Sequence, residues 1–420
     1  MVKGGDIVDH SYLTTTNRLK TNRIQYSVLK ELCHTAKKLY NYTLYSVRQH
    51  FFETETFLVY EKAYHTVKNN ENYKLLPSQT AQQVMKSVNE EFKSFFGLLK
   101  KKQSGQYTAK ASIPHYLPKD GVREITFTPA HFKINQKQIR LSLPTPIKTK
   151  HNIKYIYFPL PPHLADKPIK EVQILPFNGW FKIAFKYIDT KEYTPIDKST
   201  AVMAIDLGID NLCTIVSDKI SQPIIIDGRE IKSYNRLFNK NLAKDKSIAM
   251  KCNGQHITKN IAAHYEKRNN HMKDKIHKIS STIVNEAVKN NISTIIIGYN
   301  KGWKNKSKMN KATNQTFVSI PYSQLIHYIT YKAERHGIEV LTQEESYTSK
   351  CDALAYETIE KHENYKGKRI NRGLFLSSIG KAINADVNGA LNILRKCKGE
   401  FSLKRIVNSG CVYQPKRIRV

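Results

Sequence analysis

Apolar residues recur at three- and four-residue steps between positions 22 and 54. Tyr26, Leu29, Leu32, Cys33, Ala36, Leu39, Tyr40 and Leu44 form one stripe with Lys and Arg between them, a spacing that predicts a helix. A second helix is predicted from Ser78 to Lys100, with Ala81, Val84, Met85, Val88, Phe92, Phe95 and Phe96 on one side and Ser78, after Pro77, as the expected N-cap. Its other face carries Gln79, Gln82, Gln83 and Lys86, which suit contacts to base edges and equally suit a solvated helix face. From about 108 to 200 the period shortens. Ile125–Phe127, Phe132–Ile134, Ile139–Leu143, Ile153–Phe158 and Trp180–Tyr187 are short runs broken by Pro, Gly and Lys, the pattern of a small β-barrel. Its partner strand is expected from the first dozen residues or so, which makes the helical part an insertion. Asp189–Ser199 has no sustained period and includes Pro195, so a domain linker is expected there.

The second half alternates strands and helices. Val202–Ile205 and Leu212–Val216 flank a Gly208–Asn211 turn, and Gln222–Ile226 reads as a third strand. Residues 229–290 read as basic helices, Ile292–Ile297 as a buried strand, Tyr322–His336 as a helix and Ile338–Leu341 as a strand. The alternation predicts an α/β domain. After Ala385, the positions Val387, Ala390, Leu391 and Leu394 have helix spacing, which puts Asp386 in the first turn of a final helix. The segment from Lys396 to Val420 reads as a basic tail, loosely ordered until it meets a polyanion.

Charge changes this picture more than size does. Among 420 residues, 68 Lys and Arg face 35 Asp and Glu, for a formal charge of +33, far more than solubility requires. Positive charge runs through almost every segment and is interleaved with 24 Tyr and 16 Phe, so nucleic acid is a better partner than a membrane surface. No apolar stretch approaches the roughly 18 residues of a membrane helix, and Met1–Asp6 opens no signal-peptide pattern. A cytoplasmic, nucleoid-associated protein is expected if the host is prokaryotic. Six cysteines without a C-x-x-C pair argue for reduced thiols and against a disulfide framework or a zinc ribbon.

Asp206 ends the apolar run Ala201–Ile205, and a carboxylate there is costly to desolvate without a cation or donors. Asp386 is a second acid in a similar setting. Each is either a metal ligand or a local residue, Asp206 of a turn and Asp386 of a helix start. An acid on the first strand of an α/β domain with another on a late helix is the layout of a ribonuclease-H-like metal nuclease. Two Mg²⁺ ions need about three or four carboxylates, because Mg²⁺ prefers hard oxygen ligands, so two aspartates are too few. A third acid would end the central strand, but Thr294–Ile297 runs into Gly298-Tyr299-Asn300.

Several motifs together resemble one family: Ala204-Ile205-Asp206-Leu207-Gly208, the helical Asn235–Asn285 region, Gly302-Trp303-Lys304, Tyr331-Lys332-Ala333-Glu334, Tyr347-Thr348-Ser349-Lys350 and Asn384–Ala390. Leu39-Tyr40-Asn41 and Leu76-Pro77-Ser78-Gln79 add to them. In order and spacing they resemble TnpB, the transposon-encoded RNA-guided nuclease related to type V CRISPR effectors and Fanzor proteins. The resemblance implies an α/β RNase H-like (RuvC) nuclease domain over 201–395 and a wedge-type β-barrel from 1–20 and 108–195. It also implies a helical recognition insertion at 21–107 and a basic tail at 396–420. Implied partners are a guide RNA from the transposon end and double-stranded target DNA, bound by a monomer and cut beside a short flanking motif. Two Mg²⁺ ions, replaceable by Mn²⁺, are the implied cofactors.

By this resemblance Asp206 matches the first catalytic acid and Asp386 the third. Gly298 stands where most members carry a catalytic glutamate. A subset of TnpB and the Fanzor proteins resemble this chain in lacking it and carry a displaced glutamate before the next Thr-Ser, which makes Glu345 the first choice and Glu344 the second. Family members usually carry paired cysteines after that Thr-Ser, whereas only Cys351 lies between Lys350 and Ala382, so no structural zinc is expected. Gln79, Gln83, Lys86, Lys304, Lys350, Arg369 and Arg372 are the candidate nucleic-acid contacts. The alternatives are a nuclease-dead RNA-guided DNA-binding repressor and a structural RNA-binding protein without a DNA target.

Overall fold

The computed structural model describes residues 12–197, 200–254, 257–300, 311–398 and 410–420. The chain divides into two compact units, Met1–Lys191 and Glu192–Val420. In the first, β1 (Tyr12–Leu19) leads into α1 (Arg23–Thr54), α2 (Tyr60–Val67), α3 (Glu71–Lys74) and α4 (Ser78–Gln103). There follow β2 (Ile125–Phe127), β3 (Phe132–Asn135), β4 (Gln138–Ser142), α5 (Thr145–His151), β5 (Tyr155–Pro159), β6 (Ile169–Phe177) and β7 (Trp180–Ile188).

Helix α1 starts in a capping box, with Asn22 Oδ1 accepting from Gln25 N at 2.8 Å and Gln25 Oε1 accepting from Asn22 N at 3.0 Å. Its stripe from Val28 to Val47 is buried. At α4 the expected cap is corrected: Pro77 holds the N-cap position, with its carbonyl accepting from Ala81 N at 2.9 Å, and Ser78 is the first helical residue. Strand β6 has no counterpart in the sequence reading, because Lys170, Glu171, Gln173 and Pro176 interrupt its apolar positions. A two-residue turn at Asn178 and Gly179, both at positive φ (46° and 85°), fixes its pairing with β7. The strands form two separate antiparallel sheets, β1-β7-β6-β2 and β3-β4-β5, over one apolar core, where the sequence predicted a small barrel.

The second unit contains β8 (Val202–Leu207), β9 (Asn211–Ser217), β10 (Ile224–Asp227), α6 (Arg229–Asn253), α7 (Lys259–Lys289), β11 (Thr294–Gly298), α8 (Lys311–Ser319) and α9 (Tyr322–Glu334). It continues through β12 (Glu339–Gln343), β13 (Lys368–Asn371), β14 (Leu374–Leu376), β15 (Ala382–Asn384), α10 (Ala385–Lys398) and β16 (Lys416–Ile418). Six strands make one sheet in the order β12-β11-β8-β9-β10-β16, with β11 parallel to both β8 and β12. One face is covered by α7 and α9 and the other by α10. Among the described residues no helix is long and apolar enough to cross a membrane.

The described part of the expected loose tail is ordered. Val412 is fully buried beside Phe375 and Leu391, and β16 adds a parallel edge strand to β10. The segment between Glu345 and Asn384 is closed by two buried carboxylates. Asp352 accepts from Ser377 Oγ at 2.8 Å, Ser378 N at 2.7 Å and Ser378 Oγ at 3.0 Å. Glu357 accepts from Asp352 N and Lys366 N, both at 2.7 Å. Removing such an acceptor strands several buried donors, so Asp352→Ala is expected to cost about 3 kcal/mol in denaturant unfolding. A chelator is expected to leave the melting temperature of the untreated protein unchanged, whereas a structural zinc would make it fall.

Candidate active site

Period-two alternation decides where the first acid points. Met203, Ile205 and Leu207 enter the layer with α7 and α9, while Ala204 enters the layer with α10, so Asp206 also faces α10. Helix α10 admits its carboxylate only because residue 389 is glycine: a Cβ there would lie 2.5 Å from Asp206 Oδ2. In the neighbouring parallel strand Ile297 pairs with Ile205 and Ile296 lies in the α10 layer, so Gly298 faces α10 too.

The space above Gly298 is filled by Glu345. A Cβ at 298 would sit 2.3 Å from Glu345 Oε1, 2.9 Å from Glu345 Cγ and 2.6 Å from Ile393 Cδ1. Glu345 follows β12, whose Gln343 pairs with Gly298. Its backbone is fixed on both sides, with its N–H donating to Asn300 Oδ1 at 3.0 Å and its carbonyl accepting from Thr348 Oγ1 at 2.8 Å. Glu344 differs entirely: it is exposed, and a 2.8 Å contact with Lys396 holds its carboxyl below the usual range.

Asp386 opens α10, where the Asn384 side chain accepts from its N–H at 2.9 Å. Its Oδ2 accepts from Asn211 Nδ2 at 2.7 Å, and Arg369 Nη2 stands 3.9 Å from its Oδ1. Burial holds Asp206 well above the carboxylate range, and the charges of Glu345 and Asp386 push the same way against Arg369. Burial, with Glu344 adding to it, raises Glu345 to about 7. Glu345 Oε1 has no hydrogen-bond partner, nor has Thr214 Oγ1 on the residue paired with Asp206 across β8 and β9.

Among the described residues no group of three or more His, Cys, Asp or Glu side chains stands ready to hold one metal ion. The donor set still fits a hard divalent cation. Glu345 and Asp386 both raise the proton affinity of Asp206, one buried Glu345 oxygen lacks any donor, and oxygen is what Mg²⁺ takes. Beside Asp386 a groove of about 760 Å³ is lined by Arg229, Lys232, Arg236, Arg369, Arg372 and Arg417. Within it Asp210 pairs with Lys232 and Arg372, both at 2.6 Å.

The sequence-predicted contacts fall in different places. Arg369 and Arg372 line this groove. Lys350 is exposed, with Nζ 5.6 Å from the Tyr365 ring. On α4, the Gln79 side chain accepts from Thr128 Oγ1, and its backbone N–H faces His131 Nε2 at 3.4 Å. Gln83 and Lys86 line a pocket of about 370 Å³ with Arg123 and Glu91. Lys304 and its Gly-Trp-Lys motif lie outside the described residues. Sequence reasoning missed Asn211, Gly389 and Arg417. A clue for Asn211 was its place in the Gly208–Asn211 turn beside Asp206.

Comparison with known proteins follows the same division. The family model OrfB_IS605, described as "Probable transposase", matches residues 185–304, and the Cas12f1-like TNB domain matches 322–393. "TnpB-like protein ORF457" of Acidianus two-tailed virus is 25% identical over 434 residues, covering 92% of this chain and 87% of its own. InsQ of Escherichia coli (strain K12), provisionally named an RNA-guided DNA endonuclease, is 22% identical over 343 residues, covering 80% and 78%. Among solved structures, Cas12f1 in complex with sgRNA and target DNA gives a TM-score of 0.58 at 15% identity over 89% of this chain and 83% of its own. The mini-RNA-guided endonuclease CRISPR-Cas_phi3 gives 0.50 at 9% identity over 92% of each. The likeness is one of fold: this chain shares the architecture of those two solved structures.

Two outcomes follow from the crowding and burial. Gly298→Ala is expected to cost about 2 kcal/mol in denaturant unfolding by overpacking, and adding Glu345→Ala to it is expected to recover part of that loss. The second concerns pH. Glu345 is raised from 4.5 to about 7, so between those values the folded state keeps a proton that the unfolded chain has lost. Metal-free protein is therefore expected to lose stability as pH rises from about 5 to about 8, by roughly 3 kcal/mol from this group, and Glu345→Gln is expected to flatten the fall in a series of melting curves.

Proposed function

The chain belongs to the TnpB family, and from that premise we propose that it is an RNA-guided DNA endonuclease. A guide RNA from the transposon end would select the target by pairing, and the protein would read a short flanking motif and hydrolyse the DNA. The observation that carries the catalytic part is the Glu345 carboxyl group filling the space over Gly298, on the sheet face that holds Asp206. The acid expected at the end of the central strand is thereby supplied from the loop after the adjacent strand.

Asp206, Glu345 and Asp386 are the residues that would hold divalent metal. When bound, a pair of Mg²⁺ ions would supply charge for activating water and for steadying the leaving oxygen. The remaining work falls to the protein. Glycines at 298 and 389 keep the two buried carboxylates on one face, and Asn384 fixes the start of the helix that bears Asp386. Arg229, Arg236, Arg369 and Arg372 along the groove beside Asp386 suit a phosphodiester backbone, because guanidinium forks match phosphate oxygens. The complex of the similar Cas12f1 with sgRNA and target DNA supports RNA and DNA as partners, and we assign one copy of this chain to each guide.

One observation favours a second reading. The acids do not stand as a ready-made metal group among the described residues, which also suits a nuclease-dead RNA-guided repressor. Cleavage of a guide-matched plasmid by the co-purified ribonucleoprotein in Mg²⁺ separates the two. Asp206→Ala and Glu345→Ala are each expected to lower cutting at least about a thousandfold while leaving guide binding within about twofold. Wild-type protein that binds the matched duplex without cutting it would establish the repressor instead.

A further inference from the structure

Asn211 opens β9 and is nearly buried, 9% exposed. Its amide is held at both ends: Nδ2 donates to Asp386 Oδ2 at 2.7 Å, and Oδ1 accepts from Arg417 Nη2 at 2.8 Å. A guanidinium can only donate, so Arg417 holds the amide oxygen to its own side and thereby turns the NH₂ toward Asp386. Were the amide free to rotate, its oxygen would meet the carboxylate and repel it. The bond also occupies Oδ2 of Asp386, which distinguishes its two oxygens.

Arg417 is delivered by the edge strand. It pairs with Ile225 in the parallel β10–β16 ladder, and Lys416 N donates to Pro223 O at 2.8 Å. Val412 is buried ahead of it, and Gln414 O accepts from Gln222 Nε2 at 2.8 Å. Four anchors on one short segment are more than an edge strand needs to shield the sheet. Asp227 lies 3.7 Å from Arg417, so the guanidinium has an acidic neighbour besides the Asn211 amide that helps hold it in place.

We propose that Arg417 is a positioning residue that acts through Asn211 to orient Asp386, making β16 a working part of the metal centre. This rests on the reading of Asp386 as an active-site acid. The test uses the full chain with its guide RNA, as Arg417→Ala, Arg417→Lys, Asn211→Ala, the double alanine variant and Asp386→Ala, with the exposed Arg419→Ala as control. Two quantities are measured: single-turnover cleavage of matched DNA across DNA and Mg²⁺ concentrations, and Mn²⁺ binding by calorimetry without DNA. Arg417→Ala and Asn211→Ala are each expected to lower the saturating rate about 10- to 100-fold and to weaken Mn²⁺ binding by about tenfold. The DNA concentration at half rate is expected to stay within about twofold, and the double variant to be no worse than the worse single, since both act through one bond chain. Arg417→Lys, which keeps a donor, is expected to recover part of the rate; if Arg417→Ala fails to fold, Arg417→Lys and Asn211→Ala carry the comparison. Arg419→Ala is expected to match wild type.

Unchanged rate and Mn²⁺ affinity in Arg417→Ala would overturn the proposal, as would an effect confined to half-saturating DNA, which would mark a direct phosphate contact. Additive losses in the double variant would overturn it too. If Asp386→Ala itself leaves cutting and Mn²⁺ binding intact, the reading of the acid falls, and that result is distinct from a silent Arg417 beside a damaging Asp386→Ala.

Discussion

Two carboxylates share the face of the central sheet under α10, and their enclosure constrains everything around them. Asp206 is buried with Glu345 and Asp386 raising its proton affinity, and Arg369 opposes them from the groove side. Charge of one sign inside a low-dielectric layer is tolerated only where shape leaves no other arrangement or where a cation will arrive. Shape is settled here by two glycines. Gly389 lets the helix lie against the Asp206 carboxylate, and Gly298 leaves a hole that the Glu345 side chain fills. A methyl group at either position would contest the space of an oxygen.

Much of this was legible in the chain. The run ending at Asp206 and the helix spacing after Ala385 located two acids, because strand and helix periods are local signals. Their neighbours on the face were harder. That Glu345 and not Glu344 meets Gly298 depends on a parallel ladder between β11 and β12, and on the ion pair that draws Glu344 outward to Lys396. The likeness to TnpB put Glu345 first and Glu344 second, while periodicity gave no means of choosing. Arg417 left no local trace at all: it sits among basic residues that read as a tail, and its contact with Asn211 spans 206 positions of sequence. The Pro77 cap and strand β6 were misread or passed over for the opposite reason, since local polar residues and proline obscured elements that tertiary pairing imposes.

The segment after Glu345 is closed by hydrogen bonds to two buried carboxylates. Ser377, Ser378 and Ala355 converge on the Asp352 carboxylate, and Glu357 gathers the amides of Asp352 and Lys366. The donors lie 3 to 26 positions from the carboxylates they meet, so these bonds draw the two ends of the segment together. Its hairpin, β13 and β14, carries Arg369 and reaches the groove through Arg372 at the turn, which ties these two groove cations to the Asp352 cluster.

Helix α10 unites the two halves of this arrangement. One stretch of it bears Asp386, makes room for Asp206 at Gly389 and places Ile393 against Gly298. The same helix turns Asn388 and Asn392 toward the loop that follows Glu345: Asn388 Nδ2 donates to Cys351 O at 2.8 Å, and Asn392 Nδ2 donates to Thr348 O at 2.9 Å and Cys351 O at 2.7 Å. Ala353 N returns a bond to Asn388 Oδ1 at 3.0 Å. Both asparagines are fully buried, so these bonds have no competition from solvent. The loop is thus pinned to the helix a few residues beyond the glutamate it presents. Glu345 sits on a loop outside the ladder, and the two asparagines hold that loop to the helix that carries Asp386. Positions 298, 345, 388 and 392 therefore behave as one unit, in which the consequence of changing any member depends on the other three.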